Sequence, residues 1–171
     1  MRKIKYIDIG VEKIGKIYHI ADVHIRNLKR HKEYREVFSQ LYGYILATMR
    51  ENDIIYIAGD IVHAKTDMSP EVVDLTQEFF CKLADLLPTI VIPGNHDANL
   101  NNTSRLDALS PIISALDHKN LYYLKDTGGY GIGGYTFIHK SIWDKSEGFP
   151  PAKSFKQNNG RIGVFHGPVD N

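Results

Sequence analysis

Three short apolar runs, each followed at once by a polar cluster, constrain this chain more than any other feature. They are Lys16-Ile17-Tyr18-His19-Ile20-Ala21, Ile54-Ile55-Tyr56-Ile57-Ala58 and Thr89-Ile90-Val91-Ile92. Their β-branched and aromatic content predicts strands buried on both faces. Between the first two, residues 33–51 place Val37, Leu41, Tyr44, Ile45 and Thr48 at helical spacing. Between the second and third, residues 70–87 read as another helix, with Ser69 as its cap, Pro70 in its first turn and Pro88 past its end. Strand, helix, strand, helix, strand implies parallel strands joined by right-handed crossovers. Ligands of such sheets collect at the carboxyl ends of the strands.

The second half is less regular. Residues 106–116 suggest one or two short helices, divided near Pro111. Residues 121–124, 135–139 and 161–166 are further strand candidates, residues 4–9 an extra strand, and residues 144–159 a long surface loop. Gly129-Tyr130-Gly131-Ile132-Gly133-Gly134 matches a GxGxxG pattern but precedes a strand-like run, so a tight hairpin fits it better than a nucleotide loop.

With 171 residues, 43% hydrophobic and 24% charged, the chain has the length and composition of one globular domain. Its formal net charge of +1 excludes a function that rests on overall charge. No apolar run approaches the ~20 residues of a membrane span. No secretory signal opens the chain, so no membrane association and a cytoplasmic location are expected. The single cysteine, Cys81, excludes an internal disulfide framework and reads as a buried, inert thiol. Trp143 has no readable role.

The polar clusters carry the chemistry. The first run ends Asp22-Val23-His24; alternation along an extended strand would turn both side chains to one side, where they can share a metal. The second ends Gly59-Asp60-Ile61-Val62-His63, where Gly59 permits a sharp turn and Asp60 offers a carboxylate able to bridge two cations. The third ends Gly94-Asn95-His96-Asp97: an amide ligand, an imidazole and a carboxylate placed to orient that imidazole. A fourth strand candidate ends Phe165-His166-Gly167. Each cluster alone is an ordinary turn or cap. Four of them at one topologically favoured edge are not. His19, His118 and His139 are assigned to packing or surface.

In order and spacing these motifs resemble the calcineurin-like binuclear metallophosphoesterases, over residues 16–167. The resemblance implies an α/β fold, the four-layer α/β/β/α sandwich. It implies two divalent metal ions, manganese in the nearest group, one held by Asp22, His24 and Asp60 and the other by Asp60, Asn95 and His166. His63, three residues after Asp60, is similar to the SbcD-type DNA repair nucleases, where the matching histidine contacts the scissile phosphate. By that resemblance the chain is an exo/endonuclease that uses a hydroxide bridging two manganese ions. His63 and His96 would be its catalytic residues, His96 protonating the leaving oxygen with Asp97 fixing its orientation. DNA, an SMC-like ATPase subunit of the SbcC type and a second copy of the chain are the implied partners.

Five basic residues between Arg26 and Arg35 would attract phosphate beside the site, with Lys153, Lys156 and Arg161 as an extension. The alternatives are a phosphomonoesterase or cyclic-nucleotide phosphodiesterase on the same scaffold, and an inactive fragment or binding module. Family members carry a later Gly-His-x-His whose histidines complete each metal. No histidine follows His166 here, so residues 1–171 are expected to be a catalytic domain stopped before that motif.

Overall fold

A computed structural model describes residues 3–155 and 160–167. In chain order the elements are β1 (Ile4–Tyr6), β2 (Ile17–Ile20), α1 (His31–Thr48), β3 (Ile54–Ala58), α2 (Pro70–Leu86), β4 (Thr89–Ile92), α3 (Leu109–Leu116), β5 (Leu121–Tyr123), β6 (Gly128–Ile132), β7 (Tyr135–His139), a 3-10 turn (Ala152–Ser154) and β8 (Arg161–Val164). One sheet has the order β2-β3-β4-β5, all parallel; the other has the order β1-β6-β7-β8.

Strand alternation builds two cores. Ile55, Ile57 and Val91 face the helices, packing with Phe38, Ile45, Leu75, Phe79, Leu83 and Ile112. Ile54, Tyr56, Ile90 and Ile92 face the second sheet, packing with Tyr130, Ile132 and Phe137. The chain is therefore a mixed α/β sandwich. Among the described residues the three α-helices cover one face, giving helix, sheet and sheet layers.

β3 and β4 are buried on both faces, as their composition predicts. β2 is not: it lies at the sheet edge and exposes His19. The buried stripe of α1 is also rotated from the expected one. Phe38 and Ile45 point inward, whereas Val37 and Tyr44 are 59% and 62% exposed. Several registers satisfy the periodicity of an aromatic-rich helix, and packing against Phe79 selects one of them. α2 starts as expected, Ser69 Oγ accepting from the Val72 N–H.

α3 is a single helix with Pro111 in its first turn. No intrahelical partner exists for an N–H there, and the Asp107 carboxylate accepts from the Leu109 and Ser110 N–H groups instead. The glycine run is the expected hairpin, with β6 and β7 antiparallel around Gly133 and Gly134, both at positive φ. The described part of the expected surface loop is anchored by Phe155, which is fully buried; residues 156–159 lie outside the described residues. Cys81 is half-buried, with burial foremost pushing its thiol upward.

Candidate metal centre

Parallel pairing delivers the ends of β2, β3 and β4 to one edge. Beyond the strands the chain keeps its pairing for a few residues. The Asp22 N–H donates to Gly59 O, the His24 N–H to Asp60 O, and the His63 N–H to Ile25 O. Asp22 and His24 lie past the end of β2, so alternation along a strand does not explain their convergence. Asp22, His24 and Asp60 instead have φ of 55°, 49° and 54°. Left-handed backbone at such residues costs about 1–3 kcal/mol each, and strain of this kind concentrates where side chains must be aimed.

Two glycines let the loops close in. Gly59 has φ +82°, and a Cβ there would lie 2.7 Å from His166 Nδ1 and 2.8 Å from Gly94 Cα. A Cβ at Gly94 would overlap the Asp60 carboxylate and amide. Asp97 clamps the same loops from beneath. Fully buried, it accepts from the Ile61 and Val62 N–H groups at 2.9 and 3.0 Å and from the Gly94 N–H at 2.8 Å. Burial pushes its carboxyl up to about 7 against the opposing pull of those three donors.

The expected role of Asp97 as orienter of His96 is therefore incorrect. The two side chains leave a tight turn in different directions, one into the core and one toward solvent. His96 Nδ1 donates to the His63 carbonyl at 2.7 Å, and its N–H donates to Asp60 Oδ1 at 2.8 Å. A carbonyl can only accept, so Nδ1 carries the proton and Nε2 is left to face outward.

The remaining side chains form two adjoining groups. His24, His63 and His96 converge, as do Asp22, Asp60 and His166. His24 Nε2 joins the groups, 3.6 Å from Asp60 Oδ2 and 3.8 Å from Asp22 Oδ1. This proximity grouping differs from the ligand sets the resemblance implies: His166 adjoins Asp22 as well as Asp60, and His63 and His96 adjoin His24. Asn95 lies in the same turn, its backbone carbonyl accepting from Lys65 Nζ at 3.0 Å. Lys65 was invisible as a site residue in the sequence, because lysine two residues past a histidine carries no pattern.

Three observations show that this donor set fits divalent cations. His166 Nδ1 donates to the Ala58 carbonyl at 2.6 Å, so in the neutral ring the Nε2 lone pair faces Asp60 Oδ2 at 3.2 Å. Two electron-pair donors facing each other need a cation or a proton between them. His24 Nδ1 is buried without a hydrogen-bond partner among the described residues. Carboxylate oxygens mixed with imidazole nitrogens suit first-row divalent metals.

The basic segment is only partly available. Arg35 pairs with Asp74 and Glu78 across α1 and α2, while Arg30 and Lys32 contact Glu33 and Glu36. Arg26 bears on the site through its charge. Partial desolvation, then Arg26, His24 and His96, hold the exposed His63 below its ordinary value. The Arg161 guanidinium donates to the Phe155 carbonyl, and Lys156 lies outside the described residues.

Strand-end geometry and donor set define a candidate divalent-metal centre at the edge of a parallel sheet, and comparison with known proteins places the chain in a family. The calcineurin-like phosphoesterase family profile matches residues 15–170, and the chain belongs to that family. It is 43% identical over 177 residues to uncharacterized protein R555 of Acanthamoeba polyphaga mimivirus, an alignment covering 98% of this chain and 13% of that protein. The chain thus spans a small part of this relative's length. Among the described residues no helix is long and apolar enough to cross a membrane.

Proposed function

We propose that this domain is the catalytic part of an SbcD-type DNA exo/endonuclease that uses two manganese ions. The observation that carries this reading is His63, exposed at the site edge beside His24 and His96 and within the field of Arg26. There it can donate to a non-bridging oxygen of a phosphodiester, and Arg26 adds a cation for the neighbouring backbone. A pair of divalent metals supplies charge neutralisation and an activated water.

In this reading Asp22, His24, Asp60, Asn95 and His166 would hold the metals. His96, fixed through Nδ1, would act as an imidazolium: its second proton, on Nε2, passes to the leaving oxygen and returns the ring to the neutral Nδ1–H form. An SbcC-type ATPase and a second copy of the chain are the proposed partners, and the cytoplasm the proposed location.

The test assays the chain on linear duplex, single-stranded DNA and bis(p-nitrophenyl) phosphate with manganese or magnesium. Manganese-dependent cleavage of DNA, reduced at least about 100-fold in His63→Ala, is expected. Hydrolysis of small monoesters with DNA untouched would select the phosphomonoesterase alternative. Absence of manganese binding by calorimetry would select the binding module.

A further inference from the structure

The strand edge that carries the metal-site residues continues past β4 to a cavity of about 440 Å³ bordered by Arg105, Lys125 and Trp143, a size that holds small organic groups. Arg105 belongs to the loop that begins at His96 and Asp97, and the Ala108 N–H returns that loop to Asp97 O at 2.8 Å. Lys125 follows β5, the neighbour of β4, and Trp143 follows β7, the neighbour of β8. Adjacent strands lie about 4.8 Å apart, so the cavity is about 10 Å across the sheet from the end of β3. A larger cavity of about 550 Å³ beside Gly15, Asn52 and Asp53 opens at the opposite ends of β2 and β3, away from this chemistry.

We propose that the cavity at Trp143 is a nucleobase subsite, taking an amino-bearing base of the substrate strand next to the scissile phosphate. The inference rests on the nuclease reading and deepens it. Lys125 Nζ lies 5.4 Å from the Trp143 ring centroid and is itself held by Asp107 at 2.8 Å and Ser110 at 2.9 Å. One face of the indole is thereby fixed against a cation whose own charge is already paired. A ring oriented in advance loses little freedom when a base stacks on it.

The charges of the lining argue for a base over a free phosphate. Asp107 pairs Lys125 and Lys5 pairs Asp126, which leaves Arg105 and Asp144 as opposite charges of the lining. Hydrogen bonds from Ser146 and Thr127 hold Asp144 down at about 2. It is an ionised acceptor for exocyclic amino groups such as cytosine N4. Arg105 is exposed and has no ion pair among the described residues, which leaves it for the phosphate attached to that base.

Trp143 is the only tryptophan of the chain, so its emission reports on this cavity alone. Fluorescein-labelled tetradeoxycytidylate is titrated into the full chain, with and without manganese. Tryptophan emission and label anisotropy are read together. The expected result is saturable quenching at the anisotropy midpoint, with that midpoint weakened about fivefold or more by Arg105→Ala and by Trp143→Leu, and weaker quenching by the thymidylate analogue. Anisotropy change without quenching, or wild-type midpoints in both variants, overturns the subsite and leaves the nuclease reading standing. Absence of both signals also overturns it, and manganese-dependent hydrolysis of bis(p-nitrophenyl) phosphate, which has no base, then decides separately on the phosphodiesterase reading.

Discussion

The all-parallel sheet supplies Asp22, His24, Asp60, His63, Asn95 and His96 from three consecutive strand ends, whereas among the described residues the mixed sheet adds only His166 to this metal-site group. Direction explains the contrast. Every strand of β2-β3-β4-β5 leaves at one edge because each crossover returns the chain to the start. In the other sheet β6 runs against β7, so half of its strand ends point away. A parallel sheet gathers chemistry in proportion to its strands. The mixed sheet chiefly closes the core between the layers and contributes through whichever strands share the direction.

This contrast can be broken first at Asp97, which belongs wholly to the parallel side. Asp97→Ala leaves three buried N–H groups unpaired and should destabilise by about 3 kcal/mol or more, read as the urea midpoint. Divalent-metal affinity should fall with it, because the same loops present Asp60 and Asn95. A loss below about 1 kcal/mol would mean that the strand ends hold themselves without the clamp.

The mixed sheet has its own buried polar group. His139 is fully buried, donates through Nδ1 to the Asp126 carbonyl at 3.0 Å and leaves Nε2 without a partner among the described residues. Burial lowers it from 6.5 to about 4. Between those values the unfolded chain holds a proton that the folded chain lacks. Its contribution is intact above about pH 6.5 and is lost as pH falls toward 4, by up to about 3 kcal/mol. Asp97, raised in the fold, works in the opposite sense over part of this window. Comparison of the wild type with His139→Gln across pH therefore isolates His139, and parallel stability curves would refute the assignment.

The smallest effect should come from the outer helices. Arg35→Ala removes an exposed pair with Asp74 and Glu78, worth less than about 1 kcal/mol. On the nuclease proposal it should leave DNA affinity unchanged, while Arg26→Ala, which removes a charge acting on His63, should weaken it. Equal effects on binding would restore the whole basic segment as the phosphate attractor.

Much of the parallel half was legible in the sequence, because local signals coincide there. Apolar runs mark β3 and β4, Ser69 and Pro70 start α2, and glycines precede Asp60 and Asn95. The mixed half was less legible. β6 is written in glycines, whose strand propensity is poor. It is a strand because Gly129 and Gly131 let Phe155 and Tyr6 pack against the backbone. Those contacts span long sequence distances and leave no periodic trace.

By itself the sequence determined the order of strands and helices, the edge where polar clusters meet and the family to which they belong. Only the tertiary structure decided which atoms face one another. It sent Asp97 to backbone N–H groups and His96 to the His63 carbonyl, placed His166 against Asp60, and turned Trp143 toward a cavity. The reason is physical. Strand periodicity fixes the side of a sheet on which a residue lies, but Asp22, His24 and Asp60 lie in left-handed turns past the strands. Side-chain direction there is set by the packing of neighbouring loops.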